Sequence, residues 1–428
     1  MYAIIPKRST ALRTALVLVG ALTAAACADE PAAPRPDEAL APELATAAQQ
    51  GAGVVPNQYV VLFKSDVTDA PARAAALTKA HGGKLRHTYT AALKGFAAGL
   101  SAAAAEAISR DPRVAVVEAD RVMRAYGTQT MDAAGQPWGL DRIDQKALPL
   151  SGTYTYKGDG GGVKVYIIDT GLQANHSQFK VIIPSLSGGT LTVSRAKNVY
   201  DAYGSTGADC NGHGTHVAGI VGGKTYGVAK MVSLRGVRVL GGDCGNSGWM
   251  SDVLAGVNWV TANHSKPAIA NMSLGGSKSA ILDSAVLNLV KAGVFVSLAA
   301  GNEGQDACNS SPARVGKNIG VFTAAASNKK DERAVLANWS SNYGKCVDGY
   351  APGVAIKSAW INDGTNTIGG TSMAAPHVAG VAAILKQANT TWSPNAIEIF
   401  LKWAATPNVI TGNPADTPNR LLHKAPGV

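Results

Sequence analysis

The chain has 428 residues, 46% of them hydrophobic, with 48 glycines and a formal charge of +10. This length and apolar content exclude a disordered chain and leave room for one large core plus a small domain. The positive charge is dispersed, with no long basic run and no interleaved aromatics, so no nucleic-acid partner is expected.

Taken in chain order, Lys7, Arg8 and Arg13 precede the apolar run ALVLVGALTAAA, which ends in small residues. That pattern reads as a signal peptide over residues 1–28, too short to span a bilayer. Cys27 ends the run, where a bacterial lipoprotein would carry its lipidated cysteine, but Ala24 stands where such signals usually place Leu. Two outcomes stay open: an acyl anchor on the precursor, or loss of Cys27 with the signal. Only the first would bring the chain to a membrane. Residues 29–53 are Ala- and Pro-rich and read as a linker.

Residues 54–126 alternate between strand and helix patterns. NQYVVLFK, KLRHTYT, LKGFAAGL and VAVVEADRVMR read as strands, with APARAAALTKAHG and AAAAEAISRDP as helices. The order β-α-β-β-α-β predicts a small α+β, ferredoxin-like domain. GTQTMDAAGQP then reads as a second linker. Residues 127–428 form the large unit. VKVYIID, MVSLRGVRVL, AIANMSL and VFVSLAA are apolar and β-branched, and alternate with helical stretches such as SDVLAGVNWVTANH and LDSAVLNLVKAG. This predicts an α/β fold, a doubly wound, mostly parallel sheet flanked by helices. The chain ends soon after SPNAIEIFLKWAA, so no further C-terminal domain is expected.

Three segments in the large unit can carry chemistry. In YIIDTG, Asp169 ends a buried strand, where the crevice of an open α/β sheet lies; taken alone, it could equally cap a turn. In NGHGTHVAG, His213 and His216 flank a polar turn, and either could be a general base. A zinc pair is opposed by the H-x-x-H spacing, which lacks the metalloprotease glutamate. In GGTSMAAPHVAG, Ser372 opens a long apolar helix whose N–H groups suit a developing oxyanion. The surrounding G-T-S-M-A is not the nucleophile elbow of α/β-hydrolases. Asn302, in AAGNEG, follows a buried strand and reads equally as a donor or a turn residue. The other four cysteines, Cys210, Cys244, Cys308 and Cys346, are free thiols or form one of three disulfide pairings; a secretory signal favours bridges.

DTG, HGTHVAG and GTSMAAPHVAG, in that order, resemble the three active-site signatures of the subtilisin-like serine proteases (subtilases). PWGLDRID, DCNGHGT, GVRVL and SNYGKCVD are similar to the proteinase K and aqualysin branch. The resemblance covers nearly all of the chain from Trp138 to about Lys424. It implies a secreted serine endopeptidase that acts as a monomer on protein and peptide substrates. Ser372 would be the nucleophile, His213 the base, Asp169 its orienting carboxylate, and Asn302 an oxyanion donor. Asn246, Ser247 and Gly248 would form one substrate-binding edge, with Ser273, Leu274 and Gly275 forming the other. Leu274, Gly275, Ala299, Ala300 and Gly301 would line a pocket for a large apolar or aromatic side chain before the scissile bond. Glu303 would sit at its rim. The resemblance also implies the pairings Cys210–Cys244 and Cys308–Cys346, and a structural calcium ion held by Asp348 with the carbonyls of Gly316 and Asn318. A plain surface aspartate is the competing reading of Asp348. The small domain resembles the subtilisin propeptide, implying a folding template and intramolecular inhibitor removed by self-cleavage near Ala125–Gly127. The alternative is a catalytically silent binding protein on the same fold.

Overall fold

The computed structural model describes residues 54–125, 129–130, 137–184 and 190–425. The expected signal peptide, linker and Cys27 lie outside the described residues. The small domain runs β1 (Val54–Phe63), α1 (Ala70–Ala80), β2 (Lys84–Tyr89), β3 (Gly95–Gly99), α2 (Ala102–Ser109) and β4 (Val114–Ala125). Its strands lie in the order β4-β1-β3-β2, the ferredoxin-like arrangement. Asp69 and Ser101 cap the two helices with their side chains. Alternation along β1 sends its residues to two cores. Val61 and Phe63 pack with Phe96, Leu77 and Ile108 under the domain's own helices. Val60 and Leu62 face the large domain and join its core with Leu254, Val257 and Leu282.

A short strand, β5 (Gln129–Thr130), follows where the sequence suggested only a linker. The large domain continues with α3 (Trp138–Asp144), β6 (Lys164–Asp169), the hairpin β7 (Lys180–Pro184) and β8 (Thr190–Ser194), and β9 (Ala196–Asp201). Next come α4 (His213–Gly222), β10 (Ser233–Arg238), β11 (Ser247–Trp249), α5 (Met250–Asn263), β12 (Ala268–Met272), β13 (Leu274–Ser277), α6 (Ala280–Lys291) and β14 (Phe295–Ala299). The last elements are β15 (Ser310–Ser311), β16 (Val321–Ser327), β17 (Gly349–Pro352), β18 (Ile356–Trp360), β19 (Gly364–Gly369), α7 (Thr371–Ala388), α8 (Pro394–Ala404), β20 (Thr406–Pro407) and β21 (Arg420–Leu421).

Among the described residues the main sheet has the order β20-β21-β17-β16-β14-β12-β6-β10-β9. All its pairings are parallel except β20 on β21. Later strands are added on both sides of β6, so β6 marks a point where the strand order reverses, the usual place for a functional crevice. One face is covered by α4 and α7, with Val217, Val378, Ala382 and Ile384 in its core. The other is covered by α5 and α6. Helix α7 is buried from Thr371 to Lys386. Its small side chains let a helix lie this deep against a sheet.

Candidate active site

Asp169 ends β6 and is fully buried. Its Oδ1 accepts from the Thr170 N–H at 2.7 Å and lies 2.7 Å from His213 Nδ1. His213 is the first residue of α4. Its position depends on Gly212, whose φ of 110° is open to glycine; a Cβ there would come within 2.4 Å of the Trp360 ring. Asp209, to which the sequence reading assigned no role, ties this turn together. Its Oδ1 accepts from Thr170 Oγ1, the Asn211 N–H and the Gly212 N–H; its Oδ2 accepts from the N–H and hydroxyl of Thr215. The available signal was an aspartate two and three residues ahead of Asn211 and Gly212, the spacing of an Asx turn.

Ser372 is the second residue of α7. Its hydroxyl donates to the Ser273 carbonyl at 3.1 Å, and Ser273 Oγ donates back to the Ser372 carbonyl at 2.8 Å. The bottom of β12 is thereby joined to the start of α7. Asn302 Oδ1 accepts from the Thr371 N–H at 2.9 Å and from Thr371 Oγ1 at 3.1 Å. Both bonds use the oxygen, which leaves the Asn302 amide nitrogen as the end that can donate to a ligand.

His216 and His377 lie nearby but are neutral. Burial pushes them down to about 3 and about 4. His216 Nε2 bonds the Ile356 and Asn366 carbonyls, and His377 Nδ1 the Met373 carbonyl. Only His213 of the three contacts an acid.

The second half of β4 leaves the small domain's sheet and enters the large domain. It pairs antiparallel with β11, Ser247 opposite Arg124 and Gly248 opposite Met123. It also pairs with β13, Leu274 opposite Ala125 and Gly275 opposite Arg124. Two of the expected edge residues on each side, Ser247 and Gly248, Leu274 and Gly275, therefore already hold a peptide strand; Asn246 and Ser273 directly precede them. Downstream, Gln129 pairs with Gly369 and Thr130 with Ile368 on β19. The chain is thus paired with β13, which follows Ser273, before the undescribed residues and with the end of β19 after them. The expected cleavage point begins at Ala125 and otherwise falls on residues outside the described ones.

Ala299 ends β14, and Ala300 and Gly301 follow it, all three buried. Gly301 has φ 104°, and a Cβ there would come within 2.3 Å of Asn342 Nδ2. Glu303 is exposed, and its Oε2 accepts from Asn342 at 2.8 Å. The four cysteines form Cys210–Cys244 and Cys308–Cys346, with Cα separations of 5.2 and 5.3 Å.

A family model described as Subtilase family matches residues 160–422, and one described as Peptidase inhibitor I9 matches residues 58–126. The chain belongs to the subtilase family. It is similar to an extracellular serine proteinase of Thermus sp. (strain Rt41A), at 43% identity over 95% of this chain and 98% of the relative. It is also similar to alkaline serine exoprotease A of Vibrio alginolyticus, at 45% identity over 79% of this chain and 60% of the relative. Among solved structures it resembles a cold adapted subtilisin-like serine proteinase, at 47% identity and TM-score 0.61, covering 67% of this chain and 98% of that one. This subtilase is therefore a serine endopeptidase with an inhibitor domain in front of it.

One expectation drawn from the family does not fit. Asp348 is buried, but its Oδ1 lies 2.6 Å from Lys402 Nζ and its Oδ2 accepts from the Thr323 N–H at 2.8 Å. Lys402 is held in turn by Glu398 at 2.6 Å. An ammonium in contact with the only carboxylate of the expected calcium set repels a dication and blocks its approach. Among the described residues no group of three or more His, Cys, Asp or Glu side chains is arranged to hold a metal. Asn318 donates from its side-chain amide to the Val315 carbonyl at 2.9 Å.

Proposed function

We propose that Asp169, His213 and Ser372 carry out peptide-bond hydrolysis in this subtilase. Ser372 Oγ attacks the scissile carbonyl carbon as His213 takes its proton. The imidazolium then gives that proton to the leaving amine. Water deacylates the enzyme by the same steps in reverse. Asp169, already bonded to Nδ1, orients the ring and stabilises its charged form. The Asn302 amide and the Ser372 N–H donate to the oxyanion, a contribution of roughly 3–4 kcal/mol for one such donor.

The supporting observation is the β4 tail. It lies extended and antiparallel between β11 and β13, as a substrate held by its backbone would, and ends at Ala125 opposite Leu274. Backbone pairing reads little sequence, which supports broad specificity. Small buried residues at Gly275, Ala299, Ala300 and Gly301 support a preference for a large apolar or aromatic side chain before the cut. We assign residues 54–126 to the propeptide and residues 127–428 to the enzyme, acting as a monomer. Like its extracellular relatives, the protease acts outside the cell on protein and peptide substrates. Calcium binding is common among subtilases; in this chain the Asp348 carboxylate is paired with the Lys402 ammonium.

The deciding experiment is Ser372→Ala in the full chain. The variant should accumulate as uncut precursor and fail to take a fluorophosphonate label that the unsubstituted enzyme takes. Normal processing by the isolated variant would contradict self-cleavage, and labelling of it would contradict Ser372 as nucleophile.

A further inference from the structure

The propeptide holds the enzyme at a second place, away from the strand that occupies the cleft. Arg86 lies on β2, at the edge of the small sheet farthest from β4. Its Nη2 is 2.8 Å from both oxygens of Asp252, and its Nη1 donates to Ser251 Oγ at 3.3 Å. The guanidinium carbon lies 3.7 Å from the centre of the Trp249 ring. A planar cation that stacks on an indole and shares a carboxylate is the signature of arginine recognition; lysine's round ammonium cannot do both.

Of the groups that meet the guanidinium, the ring, the hydroxyl and the Asp252 carboxylate stay when the propeptide leaves. Trp249, Ser251 and Asp252 belong to the enzyme. Asp252 stands in the first turn of α5, where the helix end favours a carboxylate. Tyr203 forms a wall of the site, fixed by donation to the Val239 carbonyl at 3.0 Å. A cavity of about 250 Å³ remains beside Arg86 between Tyr203, Asp243, Gly248, Trp249 and Asp252. The other propeptide groups here, His87 Nε2 at 2.9 Å from Asp252 and Asp120 at 4.0 Å from Arg86, leave as well. Release therefore takes the Arg86 guanidinium and the His87 ring away from Asp252.

We propose that Trp249 and Asp252 form an exosite on the mature enzyme that binds the guanidinium of an arginine side chain from a polypeptide substrate. The propeptide's Arg86 is a stand-in for that side chain. Because Arg86 comes from a different strand than the one in the cleft, the substrate's arginine need not be close in sequence to the scissile bond. The site favours folded or long substrates over short peptides. This rests on release of residues 54–126 after cutting, and peptidase activity measured beforehand reports on that reading separately.

The test uses mature enzyme blocked by a serine-directed inhibitor and labelled with ¹⁵N. It is titrated with Nα-acetyl-arginine amide, with the lysine analogue, and with the neutral isostere citrulline amide. The arginine compound should shift one indole N–H signal, absent in Trp249→Phe, with a roughly millimolar Kd. Lysine should bind several-fold more weakly and citrulline not at all. Asp252→Asn should abolish the shift while kcat/KM on a short chromogenic peptide stays within about twofold. Citrulline binding as well as arginine, or Asp252→Asn binding unchanged, overturns the proposal. A second arm uses the full chain. Arg86→Ala should shed its propeptide about tenfold faster than the unsubstituted protein, with Arg86→Lys closer to Ala than to Arg. Equal release rates also overturn it.

Discussion

The two ends of the Asn302 amide face different tasks. Its oxygen fixes the start of α7 through Thr371, and its nitrogen is the end we propose as the oxyanion donor. The two can be separated. Asn302→Ala should lower kcat by about 10²–10³ with little change in KM. Asn302→Asp retains the acceptor, so it should be equally slow but unfold at nearly the original temperature. At Lys402 a single side chain pairs with the carboxylate expected to hold calcium. Burial pushes Asp348 up to about 7, yet a lysine at 2.6 Å satisfies it. Lys402→Met would leave Asp348 and Glu398 buried without their cation. We expect a loss of about 3–5 kcal/mol, partly recovered by added calcium and measured as the unfolding temperature with and without chelator. Chelator sensitivity of the original protein traced to Asp348 would contradict this account.

At the level of elements, β4 connects the two domains through its acids. Asp120 accepts from the N–H of Ser251 at the start of α5, and Glu118 from the hydroxyl of Ser279, which caps α6. These caps also make docking sensitive to pH. Burial pushes Glu118 up from 4.5 to about 7. Its folded value is raised, so its contribution is fully present below about 4.5 and is lost as the pH rises through 7. The difference is worth about 3 kcal/mol. Cut but undissociated complex should therefore release its propeptide faster at pH 8 than at pH 5, and Glu118→Gln should flatten that dependence. Release is to be followed after cutting is complete, so that the two steps are read separately. Another element-level device is the Cys210–Cys244 bridge, which spans 34 residues and ends three residues before His213. Replacing both cysteines by serine should cost ~3–4 kcal/mol and lower kcat as well as the unfolding temperature.

Across the whole molecule, local information carried far. Alternating β-branched and helical runs were enough for the parallel sheet and for the split β-α-β-β-α-β domain, because strand and helix periods are written in neighbouring residues. DTG, HGTHVAG and GTSMAAPHVAG marked Asp169, His213 and Ser372, because each reactive side chain needs its own turn of fixed composition. Other features were not legible. Gln129–Thr130 resembles any polar linker and becomes a strand only because β19 offers it an edge. Lys402 stands more than fifty residues from Asp348, and its charge has no meaning until α8 packs over β16. Arg86 and Asp252 are ordinary exposed-type residues in the sequence and form a recognition pair only when β2 of the small domain meets α5 of the large one. The sequence by itself determined the principal strands and helices and which side chains are chemically able to react. Tertiary structure alone decided which distant charges neutralise one another. Such partners are selected by burial and distance, and neither quantity exists before the chain has folded.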